Sequence, residues 1–241
     1  MRLRILLLLL ALHSPAFADI EMQFDDGSVG LVKDNMVLFG DSQSALLYNS
    51  RNDELILISR EERSWLRVEA DFVSFMTAQI EKDMEQMLSS VPPDQRAMVA
   101  EQLQGMMPQP SDKPPTVDVR RTGKTDRVAG YNCHEAEVSV AGSNNPELVC
   151  VATPSELGMD ETDFATLNSA MRSIAEIAAM NPAAGPGADF SRMGGVPIRT
   201  HNLEQDYRTT LTAIVHGDID NSRLAVPADF TETNLEEMFT Q

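Results

Sequence analysis

The chain has 241 residues, and its 37 Asp and Glu outnumber its 19 Lys and Arg to give a formal net charge of −18. A surface this acidic repels nucleic acid and anionic lipid heads, so neither is expected as a partner. The length suits one large domain or two small ones, with a core that needs no metal staple.

The N-terminus reads as a leader. Arg2 and Arg4 precede an apolar run from Leu3 to Leu12, and Ala16-Phe17-Ala18 has the small-x-small form of a cleavage site. The run of about ten residues is shorter than the roughly 20 that span a bilayer, and the layout is that of a secretory signal peptide. Residues 1–18 are therefore expected to be removed after Ala18, leaving a periplasmic or secreted chain of residues 19–241. Losing Arg2 and Arg4 leaves 17 basic residues against 37 acidic, a net of −20. No later stretch is apolar enough to span a membrane.

Residues 20–68 read as short strands between turn signals: Glu21–Phe24, Val29–Lys33, Met36–Phe39, Ala45–Tyr48, Leu55–Ile58 and Ser64–Val68. Asp25-Asp26-Gly27 and Asp34-Asn35 mark the first turns. Leu55–Ile58 is apolar on both faces, which predicts a covered, central strand. The spacing is that of an antiparallel meander.

The period then changes from two to three and four. Phe72, Phe75, Met76, Ile80, Met84, Met87, Leu88 and Val91 form one face of an amphipathic helix. Pro92-Pro93-Asp94 ends it and starts a second helix that turns Met98, Leu103, Met106 and Met107 toward the core. This helical insertion covers about 69–107, and the Pro-rich connector 108–115 follows within one α+β domain.

Strands are expected again at Thr116–Arg121, Lys124–Ala129, Asn132–Val140 and Glu147–Ala152. Arg120, Arg121, Lys124 and Arg127 then line the solvated face of a hairpin. A third helix carries Phe164, Leu167, Met171, Ile174 and Ala178, and Asn181–Gly187 is a flexible exit. Val196–Leu203 and Tyr207–His216 form a last hairpin, and Leu235–Phe239 adds a turn or two of helix.

The mature chain holds two cysteines, Cys133 and Cys150. An even count in an oxidising compartment predicts one disulfide. A turn centred at Ala141-Gly142 would set the two directly opposite each other. A redox-active pair is the alternative, but there is no Cys-x-x-Cys and no thioredoxin-like βαβ context.

Gly123-Lys124-Thr125, Val128-Ala129-Gly130-Tyr131-x-Cys133 and Val149-Cys150-Val151 resemble an exported bacterial domain-of-unknown-function family, the four-four-one-two type. Gly195-Val196-Pro197-Ile198 and Ala225-Val226-Pro227 look like its later signatures. The resemblance spans most of residues 20–230. It implies a curved, largely antiparallel half-barrel sheet like that of the LolA/LolB lipoprotein carriers, with a helical cap on the concave side. The family brings no catalytic residues to carry over.

Three motifs could carry chemistry. Phe39-Gly40-Asp41-Ser42 resembles the nucleophile block of GDSL-type ester hydrolases, which would make Ser42 a nucleophile. That chemistry also needs an Asp three residues before a late His. Tyr131, Ile198 and Ala213 stand there instead, so a plain turn is the simpler reading. The Met-rich helical faces could hold Cu(I), but no His or Cys joins them in a ligand pattern, and Met also fills cores and grooves. Gly217-Asp218-Ile219-Asp220-Asn221 hints at a calcium loop but lacks its later Glu, so it reads as a polar turn.

These readings predict no cofactor, no metal and no catalytic residue. The expected function is a non-enzymatic carrier of a lipid or other apolar ligand. Its groove would be formed by Phe72, Phe75, Met76, Ile80, Met84, Met87, Met98 and Leu103. An envelope protein-interaction module without a small ligand is the second class, and a hydrolase using Ser42 the third.

Overall fold

The structure is a computed structural model. It describes residues 19–68, 72–92, 95–96, 98–99, 117–140, 146–178, 190–203 and 206–234. The leader, the connector 108–115, the turn 141–145, the exit 181–187, Leu103 and the tail helix at 235–239 lie outside the described residues.

Among the described residues, twelve strands form one sheet. The first six are β1 (Asp19–Phe24), β2 (Val29–Lys33), β3 (Met36–Gly40), β4 (Ser44–Asn49), β5 (Glu54–Ser59) and β6 (Ser64–Val68). Helix α1 (Phe72–Ser90) follows, then β7 (Val117–Val128), β8 (Tyr131–Val140) and β9 (Glu147–Ala152). Next come α2 (Glu161–Ala178), the short α3 (Phe190–Met193), β10 (Val196–Asn202), β11 (Tyr207–Gly217), a 3-10 turn (Asn221–Leu224) and β12 (Thr231–Glu232). The spatial order is β12-β6-β5-β4-β3-β2-β1-β11-β10-β9-β8-β7. Every pairing is antiparallel except β12 with β6. Cα atoms of the edge strand β7 come within 8 Å of β11, so this end of the sheet curls strongly. The α+β class with a curved, largely antiparallel sheet, read from the sequence, is the fold observed.

Local chemistry sets the meander. Asp34 and Asn35 both take positive φ, 47° and 68°, as a tight two-residue hairpin turn requires. Register pairs Ile20–Val32–Val37–Tyr48–Leu55–Val68 across six strands, so these side chains share one face. Helix α2 covers this face, here called the helix face, with Leu167 and Ala170 wholly buried in the same cluster. Asp160 caps α2 by accepting the Asp163 amide at 2.8 Å, which satisfies one of the orphan N–H groups of the first turn. Leu31, Leu38, Ala45, Leu47 and Ile58 point the other way and are covered by Ile219, Leu224, Val226 and Phe230. Residues 218–230 therefore form a strap over the second face. It is held by Glu21–Arg223 (2.6 Å), by Lys33 to Asp218 (2.7 Å) and by an Arg63–Asp229 ion pair.

Four expectations change. Residues 117–128 form one strand, not two with a turn between them. Gly123, at φ 81°, lets residues 122–124 bulge opposite Glu135 while pairing with β8 continues on both sides, as a β-bulge does. Leu55–Ile58 is only partly covered, with Leu55 and Ile58 buried but Ile56 and Leu57 half-exposed, and β5 is the third strand from the β12 edge rather than central. The β8–β9 register places Glu135, not Cys133, opposite Cys150. Residues 217–221 are more than a polar turn, since Ile219 is buried under the sheet and Asp220 caps the 3-10 turn.

Candidate functional site

The helix face carries a second register row: Met22, Gly30, Phe39, Leu46, Leu57 and Leu66, each opposite the next. Its ends are buried, but Phe39, Leu46 and Leu57 remain half-exposed. A Cβ on Gly30 would lie 2.8 Å from the Phe39 ring and 3.0 Å from the Met22 methyl, so only glycine leaves this floor flat. Phe24, Phe164, Met171, Ile174 and Ile214, like Phe39 and Leu46, are partly buried against the core cluster. A row of half-exposed apolar side chains above a packed core can take an aliphatic chain.

Of the groove residues expected from sequence, Phe72 is buried, Phe75 and Met84 are half-buried, and Met87 and Met98 are 54% and 65% exposed. The side chains of Met76 and Ile80, and all of Leu103, lie outside the described residues. The strand residues Phe39, Leu46 and Leu57 are not among the groove residues expected from sequence. Their alternation with Leu38, Leu47 and Ile58 was the available signal.

At the other end of the sheet, Cys133 and Cys150 form the expected disulfide, with Cα atoms 5.4 Å apart. The register makes them diagonal neighbours on one face. Asp126 lies opposite Cys133 on one side, and Arg199 lies opposite Cys150 on the other. The Arg199–Asp126 ion pair, at 2.8 Å, thus runs over the disulfide from β10 to β7. Arg199 holds the Asp126 carboxyl below its ordinary range, helped by the Arg127 amide. Cys133 and Cys150 are 4% and 1% exposed.

Two open depressions flank this ion pair. One, of about 500 Å³, lies where β8 and β9 part, among Asp126, Asn132, Cys133, His134 and Glu156. Glu156 bridges the gap by accepting the Asn132 amide at 2.9 Å, and the His134 Nε2 atom is buried without a partner among the described residues. The other, of about 240 Å³, is lined by Glu135, Leu148, Val149, Arg199, His201 and Arg208.

Ser42 lies exposed in the turn after β3, where Asp41 accepts the Gln43 and Ser44 amides. Among the described residues no His bonds to it. His201 pairs with Asp206 at 3.1 Å, and a Cβ on Gly158 would lie 2.9 Å from the His216 ring. Among the described residues no three His, Cys, Asp or Glu side chains are grouped to hold a metal. No helix among them is long and apolar enough to cross a membrane.

A family model described as Domain of unknown function (DUF4412) matches residues 76–230. The chain belongs to this family. The match takes in strands β7–β11, the disulfide, helix α2 and the whole strap. No curated protein matches the chain. Two crystal forms of PNGF-II align at TM-scores of 0.44 and 0.40 with 9% identity. They cover 92% and 91% of this chain but only 32% and 31% of theirs, so the chain spans about a third of that protein. A likeness this weak carries nothing about fold or function.

Proposed function

We propose that the chain is a non-enzymatic binding or carrier module of the bacterial envelope, exported by its leader, that takes a lipid or other apolar ligand on the helix face of its sheet. The half-exposed row Phe39, Leu46 and Leu57, floored by Gly30, is the observation that supports this reading. Burying such a row against methylenes gains roughly 0.8 kcal/mol for each CH₂. No covalent chemistry is required of any side chain there. Native mass spectrometry of residues 19–241, recovered after periplasmic export, tests it. A lipid-mass adduct lost on denaturation is expected, reduced in Leu46→Gln. A clean apo mass overturns it.

Met87 and Met98 favour a second reading. Both stand well out from the helical segment, and exposed Met is suited to adaptable protein contacts. On that reading the chain is ligand-free and binds an envelope protein through residues 72–99. Capture that fails in Met87→Lys with Met98→Lys, but survives Leu46→Gln, would replace the carrier.

A further inference from the structure

We propose that the 240 Å³ cleft across β9, β10 and β11 binds the phosphate of a small, free phosphate ester, with Arg208 as its main ligand. Register places Leu148, His201 and Arg208 side by side on three adjacent strands. Arg199, two residues before His201 on β10, shares their face, and all four line the cleft. Most of the charges around the cleft already have partners. Arg199 gives Nη1 to Asp126 at 2.8 Å. Glu135 accepts from Thr122 at 3.0 Å and pairs with Lys124 at 3.2 Å. Those two bonds hold its carboxyl below the ordinary range. Farther along the face, Glu137 pairs with Arg120 at 2.8 Å. His201 meets Asp206, a carboxylate 95% exposed.

Arg208 has no hydrogen bond or ion pair among the described residues, although the chain carries a net charge of −18. A guanidinium offers several donors in a planar fork that matches an oxyanion. Arg208 and the edge of Arg199 that Asp126 leaves unused line the same cleft, and the donors of two guanidiniums suit the several terminal oxygens of a phosphate. Leu148 supplies an apolar wall for the ester's short stem. The site is on the strap face of the sheet, opposite the apolar row. A lipid lying on the helix face therefore cannot place its headgroup here, and this site does not depend on the carrier reading.

Isothermal titration of residues 19–241 with inorganic phosphate provides the test, with sedimentation against phosphatidylglycerol and phosphatidylcholine vesicles in parallel. Saturable phosphate binding is expected, weakened at least tenfold in Arg208→Ala and partly restored in Arg208→Lys. Arg208 is exposed, so unchanged melting of both variants serves as the folding control. No binding overturns the proposal, as does binding equal in wild type and Arg208→Ala, which is an adventitious ion only. Arg208-dependent binding to phosphatidylglycerol vesicles without binding of inorganic phosphate overturns the free ester and assigns the site to a lipid headgroup.

Discussion

Asp163, in the first turn of α2, has its carboxyl half-buried, and burial together with Asp160, Asp19 and Asp34 pushes its pKa up to about 6. The native state therefore holds this proton more tightly than the unfolded chain does. The stability linked to it is present at low pH and lost as the pH rises through 6. The full shift would correspond to about 3 kcal/mol. Solvent screening of a side chain this exposed cuts that to about 1 kcal/mol, and the favourable helix dipole opposes it further. Asp163→Asn is thus expected to raise the thermal midpoint at pH 7.5 and to leave it unchanged at pH 4, as melts across that range will show. The Arg199–Asp126 pair makes a different prediction. Its removal in Arg199→Ala should cost less than 1 kcal/mol of stability, yet it uncovers the disulfide beneath. Reduction by a small thiol, followed by alkylation and mass measurement, is expected to run several-fold faster. The cysteine count was enough to read this bond from the sequence. The ion pair above it was not legible, because Asp126 and Arg199 stand 73 residues apart and only the β7–β10 curl brings them together.

The hairpins were legible because each is written locally. Alternating apolar residues give a strand its face, and turn residues such as Asp34-Asn35 set the reversal. Elements that depend on distant pairing escaped. Nothing near Tyr207–Gly217 announces that it pairs with Asp19–Phe24, and the strap carries too few apolar residues to show a period. The apolar row at Phe39, Leu46 and Leu57 was hidden for a related reason. Alternation shows that a strand has two faces, but not which face the covering helix leaves open. The strap's role can be measured. Leu224 is nearly fully buried against Leu31, Leu38 and Leu47, so Leu224→Ala should cost about 2–3 kcal/mol in urea unfolding. Ending the chain after Gly217 should expose that whole apolar face and produce dye binding and aggregation. Loss of the disulfide in the double alanine variant is expected to cost about 3 kcal/mol, because its loop is short.

Over the whole molecule, the sheet consists of two runs of strands joined by one ladder. Strands β1–β6 form a meander, β7–β10 form the curl that carries the disulfide, and β11 links them by pairing with both β1 and β10. A single ladder could act as a hinge between independently folding halves. The core argues otherwise. One buried cluster contains Ile20, Val32 and Tyr48 from the meander, Val149, Val151 and Ile198 from the curl, and Leu167 from α2. Tyr48 also bonds to Asp53 at 2.8 Å and to Ser173 of α2, which clamps the helix to the meander. Opening the β1–β11 seam would expose that shared cluster, so neither half gains by unfolding alone. Trp65 provides the probe. It is the only tryptophan and lies in β6, at the far end of the meander from the curl. Its fluorescence should report the meander, while far-ultraviolet circular dichroism reports both halves. Coincident urea transitions by the two signals are expected for one cooperative unit. A fluorescence transition at lower urea than the dichroism would mean that the meander opens first and that the β1–β11 ladder is a true hinge. The apolar row on the helix face would then be exposed by local opening of the meander rather than standing ready in the folded sheet.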